Sequence, residues 1–477
     1  MKKPKNTEDQ SRFILWFTVT IVLVLSLISF IPPFSIGSLR IGRVNILSDF
    51  LKFKDSTTVS VTSKDLMDTS CLEGVSSDVI SQININEHTP KQARTEKKET
   101  VDSTGIGGLE DYSPYGEMSK RLRSYFIDES RRRCVHIAFF GDSFIEGDIL
   151  TCDLRKNLQQ KFGGEGMGYI PFADPCSNNR PTINQSYRGW TTYSLLRKKK
   201  APARYVDEYG INGYISIPTP GAMASFSARS GATMNCSRAR ILFKNRAAGH
   251  MDMIINCTDT IHYDLKVSAD LQQVEVAANI HTLEIRLPVC DDFIGYGVVF
   301  EGKDGICVDN FALRSHSGLN LVGTSKSLNQ QFNDIVNLDV IVLEYGLNVM
   351  QKEVTDYNFF SNKLQNIINF LHLCLPESVI IVMSVGDVGM NSDGKIITAP
   401  SVKPMVASQR QAAINTGVMF WDTFSAMSGE DSMAKLVARG WAAKDYTHIG
   451  FKGGQMLSEK IASSIQSRVT TSQNNTI

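Results

Sequence analysis

Ser143 is the side chain of this sequence best placed to act as a nucleophile. It follows Gly141 and Asp142 at the end of the apolar run VHIAFF, and the segment after it, DILTCDLRKNLQQKFG, carries leucines at helical spacing before Gly163 and Gly164. A strand turning sharply into a helix brings such a serine to the carboxyl edge of a sheet, where open α/β folds hold their ligands. The glycine is expected to permit the sharp turn, and a nearby helix N-terminus to favour a developing oxyanion. A serine hydroxyl is a weak nucleophile until a base stands within hydrogen-bond reach and a third group orients that base. Of the eight histidines, His448 lies three residues after Asp445 in WAAKDYTHIGFKGG, just before the last helical stretch. That spacing lets the carboxylate meet one imidazole nitrogen through a local turn and leaves the other for Ser143. The oxyanion of an acyl-transfer step also needs donors. Gly346-Leu347-Asn348 directly follows the apolar run DVIVLEY, which puts Asn348 at the same sheet edge, and the amide of Gly318 in LRSHSGLNL is a second candidate.

These residues need a scaffold, and the pattern supplies one. Before the serine, SPYGEMSKRLRSYFIDES reads as an amphipathic helix. After residue 312, strands such as DVIVLEY and SVIIVMSV alternate with helices such as YNFFSNKLQNIINFLHLC, the rhythm of a mainly parallel sheet covered on both faces. Between them, ARILFKNR, HMDMIIN, IHYDLKV, QQVEVAA, HTLEIRLP and GYGVVFEG alternate apolar and polar residues, the signature of an antiparallel sandwich. The fold class expected is therefore α/β: a parallel sheet in three layers, interrupted by a β-sandwich. Its parts are an α/β segment at residues 109–204, the insertion at 205–312, a second α/β segment at 313–468 and a polar tail at 469–477.

The first hundred residues read differently. A basic flank at residues 1–12 precedes an apolar span at 13–31, long enough to cross hydrocarbon as a helix, and Pro32 and Pro33 stand where a cleavage site would otherwise be expected. An uncleaved transmembrane anchor follows from this, its N-terminus cytoplasmic and the rest of the chain in the periplasm or outside the cell. From about residue 55 to 108 the chain turns polar and poor in aromatics, and residues 32–108 are read as a membrane-proximal segment and disordered tether. The formal net charge of +1 offers no field for nucleic acid. Nine cysteines without a C-x-x-C pair give no metal-ligand spacing, so neither metal nor organic cofactor is expected.

In order and placement, Gly141-Asp142-Ser143, then a glycine, then Gly346-x-Asn348, then Asp445-x-x-His448 resembles the four sequence blocks of the SGNH or GDSL hydrolase superfamily, over roughly residues 133–466. Within it, GDSFIEGDILTCDLRKNLQQKFGGEGMGYIPF is similar to the start of peptidoglycan O-acetylesterases, which also carry a carbohydrate-module-like sandwich between the serine and glycine blocks. The resemblance implies a flavodoxin-like sheet, Ser143 as nucleophile, His448 as general base, Asp445 as its orienting partner, and Ser143, Gly318 and Asn348 as oxyanion donors. Gly166 or Gly168 in GGEGMGY is the alternative backbone donor, and Val349 stands where many relatives have an aspartate. The implied function is removal of O-acetyl groups from an envelope glycan such as peptidoglycan. Two other readings stand beside it: a polysaccharide O-acetyltransferase using the same serine with a membrane-embedded acyl donor, and a glycan-binding scaffold without catalysis. Asp142 and His136 are read as structural, and His316 as a neighbour of the site.

Overall fold

A computed structural model describes residues 108–229 and 236–470, together with the backbone of a short antiparallel hairpin, Phe34–Ile36 with Leu39–Ile41. The expected membrane span at 13–31, most of the tether and the tail after residue 470 lie outside the described residues. Among the described residues, no helix is long and apolar enough to cross a membrane.

The chain after residue 108 contains a six-stranded sheet built from β1 (Leu109–Asp111), β2 (Cys134–Gly141), β3 (Gly305–Ala312), β4 (Leu338–Glu344), β5 (Val379–Met383) and β6 (Met419–Trp421). Their spatial order is β3-β2-β4-β5-β6-β1, with all neighbours parallel except β1, which runs antiparallel to β6. Every residue of β2 and β4 is buried, as strands covered on both faces require, and this is why they read as unbroken apolar runs.

Helices α1 (Glu117–Ile127), α2 (Thr151–Phe162) and α6 (Phe451–Thr470) pack together on one face, where Leu122, Leu158 and Leu457 meet Val135, Ile137 and Phe139 of β2. On the other face, α3 (Lys326–Val336) lays Phe332 against Phe311 and Tyr169, and α4 (Asn358–Cys374) packs between α3 and α5 (Val402–Thr416). The side chain of Ser325 caps α3 by accepting from the Leu328 amide, and Asn337 ends it in the left-handed conformation that a short polar side chain tolerates.

The insertion is a nine-stranded antiparallel sheet. Its main path runs Asp259–Leu265, Gly249–Ile255, Thr282–Cys290, Tyr214–Ala228, Phe293–Glu301, Cys236–Asn245 and Ser268–Ile280, with Ile183–Ser194 paired to Tyr214–Ala228 and Gly168–Ile170 to Phe293–Glu301. Alternate residues of these strands, among them Phe226, Ile241, Met253, Ile285 and Val298, share one apolar core.

Two boundaries differ from the sequence reading. Gly305–Ala312, read as part of an insertion ending at residue 312, belongs to the parallel sheet, and Gly168–Ile170 and Ile183–Ser194, read as α/β segment before residue 205, pair with the insertion. Neighbouring runs such as GYGVVFEG and GICVDNFA are equally apolar, and only the partner each strand finds decides its sheet. Where the two sheets meet, a buried ion cluster joins them: His136 of β2 lies 2.8 Å from Asp309 of β3 and 2.6 Å from Glu301 of the insertion, and Arg240 meets Glu301 at 2.6 Å.

A close backbone approach at the sheet edge is found at Gly141. Its place between Ala312 and Glu344 leaves a Cβ only 2.8 Å from the Glu344 carbonyl oxygen and 2.7 Å from Ile145 Cδ1, so glycine is required here by close contact. Its φ is not among the left-handed values, and the sharp-turn rationale does not apply. Gly141→Ala is expected to fold but to lose about 1–3 kcal/mol of stability through overpacking, read as a lower urea midpoint; an unchanged midpoint would show that β2 and β4 separate freely.

Candidate active site

Because β2, β3 and β4 are in parallel register, Gly141 lies beside both Ala312 and Glu344, and the loops that leave these three strands start from one edge. Ser143 is two residues beyond that edge. Its Oγ lies 2.9 Å from Nε2 of His448, contributed by the loop before α6. Nδ1 of the same ring lies 2.7 Å from Asp445 Oδ2.

The 445–448 turn is built by Asp445 itself. Its Oδ1 accepts from the amides of Thr447 (2.9 Å) and His448 (3.1 Å), the turn an Asp side chain makes with its own downstream backbone. A backbone bond from Ala443 N–H to the His448 carbonyl and another from Gly450 N–H to the Trp441 carbonyl fasten the loop base. Burial acts to raise the Asp445 pKa, but the hydrogen bonds from His448 and from the His448 and Thr447 amides prevail and hold it below the usual carboxylate range. The carboxylate thus stays ionised opposite the imidazole. The Asp445 and His448 side chains remain 49% and 37% exposed, so the site opens to solvent.

The other loops converge through Asp142. Its Oδ1 accepts from the Phe144 amide at 2.9 Å and its Oδ2 from Asn348 Nδ2 at 2.8 Å. The second Nδ2 proton of Asn348 goes to the His316 carbonyl at 3.1 Å. Asn348 is thus anchored by Asp142 and a backbone carbonyl. Both protons of the amide are engaged, and donation to an oxyanion requires one of them to be shared. His316 is fully buried with its ring edge-on to Tyr345, 5.1 Å between centroids; burial drives its pKa down to about 3, so it stands as a neutral packing residue behind the loop.

Gly318, in the same loop, has φ +83°, and a Cβ there would meet the Tyr345 ring at 2.7 Å. Gly168 is elsewhere. It rests against Val308, which pairs with Ile137, four residues or roughly 13 Å back from the Gly141 edge. Gly166 packs against Phe300 of the insertion. The structure therefore brings Ser143, Asp445, His448, Asn348 and the Gly318 loop to one edge, and leaves the two earlier glycines away from it. The α-helix after Ser143 begins at Thr151, preceded by a 3-10 turn at Glu146–Asp148.

Sequence reasoning missed Glu344, the last residue of β4. It is fully buried, with Oε2 3.4 Å from the Asp142 amide. Burial first, and then the neighbouring Asp142 charge, raises its pKa well above the carboxylate range. Asp142 is itself pushed up to about 6 by burial, against the hydrogen bonds from Phe144 and Asn348 that favour its ionised form. Of the two, Glu344 holds the proton. The signal available in the sequence was an acidic residue at the carboxyl end of the run DVIVLEY.

A solved peptidoglycan O-acetylesterase superposes on this chain with a TM-score of 0.63 at 20% sequence identity, covering 76% of this chain and 99% of its own. The chain after residue 108 therefore shares the fold of that esterase. Weaker likenesses, both with a TM-score of 0.26, are to a family two carbohydrate esterase from Cellvibrio japonicus (11% identity, 63% of this chain, 97% of that one) and to the salicylyl-acyltransferase SsfX3 (12% identity, 61% and 95%). No family model and no curated protein sequence matches the chain.

The Asp142–Glu344 pair makes a pH prediction. A carboxyl whose folded pKa lies above its unfolded value binds its proton more tightly when folded, so stability falls as pH rises through the window between the two values. For Glu344 that window opens at its ordinary value of 4.5 and extends upward. Glu344→Gln copies the protonated form, and its unfolding free energy should decline less than that of the wild type as pH is raised from 4.5 towards neutrality. Parallel declines would show that Glu344 is ionised in the folded protein.

Proposed function

We propose that the protein is a serine esterase that removes O-acetyl groups from an envelope glycan. The observation carrying this reading is the continuous chain from Ser143 Oγ through both nitrogens of His448 to Asp445 Oδ2, at 2.9 and 2.7 Å. In this mechanism His448 Nε2 takes the Ser143 proton as Oγ bonds to the acetyl carbonyl carbon, while Asp445 holds the imidazole in the required tautomer and stabilises its charge. The oxyanion rests on the amides of Ser143 and Gly318 and on Asn348 Nδ2. Collapse breaks the bond to the sugar oxygen, which leaves with the proton from His448. Water, deprotonated by His448, then attacks the acetyl-serine and releases acetate.

The open site, with its base and orienting acid partly in solvent, suits a polymeric substrate, and the fold likeness to a peptidoglycan O-acetylesterase supports an O-acetylated polysaccharide. The basic flank at residues 1–12 and the apolar residues 13–31 support an anchor with the catalytic head in the periplasm or outside the cell.

The purified head should release acetate from O-acetylated peptidoglycan, and a fluorophosphonate should label Ser143. Ser143→Ala and His448→Ala should abolish labelling, and Asn348→Ala should lower kcat about 100- to 1000-fold with little change in KM, because the donor acts on charge that builds only in the transition state. An adduct on another serine, or acetate release indifferent to Ser143→Ala, would overturn the assignment. Acetylated oligosaccharide accumulating ahead of free acetate would instead mark the acyl-serine as the intermediate of a transferase fed by a membrane-embedded donor. Topology is tested separately: alkaline phosphatase fused after residue 477 should be active, since it folds only outside the cytoplasm, and an inactive fusion with normal expression would remove the envelope reading.

A further inference from the structure

A second group of chemistry-bearing side chains stands on the insertion, apart from the serine site. Strands Gly249–Ile255 and Asp259–Leu265 pair antiparallel at the end of the large sheet, with Asp252 opposite His262 and His250 opposite Asp264. Residues two apart on a strand project from the same face, so the four side chains form a square of alternating imidazole and carboxylate. His250 Nε2 lies 2.9 Å from Asp252 Oδ1, and His262 Nδ1 lies 2.7 Å from the same oxygen. The two rings stack at 5.8 Å with 24° between their planes. On the far side of His250, Nδ1 meets Asp264 Oδ1 at 3.0 Å.

We propose that this face binds a divalent transition-metal ion of the zinc type, with His250 Nε2, His262 Nδ1 and the Asp252 carboxylate as ligands. The three ligand atoms already lie within 4.8 Å of one another. Two imidazoles and one carboxylate suit zinc, nickel or copper; calcium and magnesium want oxygen donors throughout. Asp264 completes the arrangement as the carboxylate behind a metal-bound histidine, fixing its tautomer and aiming Nε2 at the ion.

Access and reorganisation are both favourable. The side chains of Asp252, His250 and His262 are 20%, 31% and 68% exposed, so an ion enters from solvent and a fourth position stays open to water. Tetrahedral zinc with bonds of about 2.0–2.1 Å holds its ligand atoms about 3.3 Å apart, so the present hydrogen-bonded atoms need to separate by about half an ångström. Binding displaces the protons that the imidazoles share with Asp252. Because the ligands come from two strands, the ion ties the edge strand Asp259–Leu265 to its neighbour. The competing account is that these are plain cross-strand charge pairs with no ion.

Calorimetric titration of the full chain, stripped with a chelator and returned to chelator-free buffer, separates the two accounts, with zinc chloride as the probe. One equivalent of zinc should bind with release of protons to the buffer, and cobalt in its place should give visible d–d absorption. His250→Ala should abolish that equivalent. His262→Gln, a change at a largely exposed position that leaves the fold intact, should abolish it as well, and Asp264→Asn should weaken binding about 10- to 100-fold. Absence of a saturable equivalent, or zinc and cobalt signals unaltered in His262→Gln, would overturn the proposal.

Discussion

The close approach of β2 to its two neighbours at Gly141 is the constraint from which the site follows. With Ala312 on one side and the Glu344 carbonyl on the other, three parallel strands end in step, and the loops carrying Ser143, Gly318 and Asn348 leave the sheet side by side. Asp142 converts this adjacency into fixed geometry by accepting from Phe144 in its own loop and from Asn348 in the next. A buried carboxylate in this position is costly unless its oxygens are hydrogen-bonded and its neighbour gives up its charge. Both conditions are met: Asp142 accepts at each oxygen, and Glu344 keeps its proton.

The joint between the parallel sheet and the insertion is equally polar. His136, Asp309, Glu301 and Arg240 form a buried cluster of opposed charges between strands of the two sheets. Replacing such clusters by apolar residues is often neutral or stabilising, whereas removing one member strands the rest and costs about 3–5 kcal/mol. The contacts of the cluster belong to one register, since sliding β3 against β2 by one residue would separate Asp309 from His136 and also displace Ala312 from Gly141.

The Asp445–His448 pair is held in a different way. Asp445 and His448 sit on a turn fastened mainly by its own hydrogen bonds, and both side chains remain partly in solvent. The Ser143 loop is fixed by the sheet edge, and His448 reaches it from the far end of the chain. An imidazole partly in solvent needs its orientation enforced, and the Asp-x-x-His spacing provides much of this locally, with Gly389 N–H donating to the Tyr446 carbonyl to tie the turn to the rest of the fold.

That local character is why so much of the site was legible in the sequence. The turn at 445–448, the apolar run into Gly141, the run DVIVLEY before Asn348 and the helical leucines of α2 are short-range patterns, set by side-chain types a few residues apart. What the sequence alone left open depended on partners distant along the chain. Whether Gly305–Ala312 joined the parallel sheet or the insertion was a choice between two ladders with similar apolar faces. That Gly168 rests against Val308, while Gly318 lies in the loop that carries His316, was likewise set by distant partners. Asp142 and Glu344 came to act on each other's charge only once residues 202 apart were brought together in the interior. The His–Asp square on the insertion likewise exists only in the register that sets His262 against Asp252. Burial and cross-strand register are properties of the folded chain, and the functions of these residues are decided there.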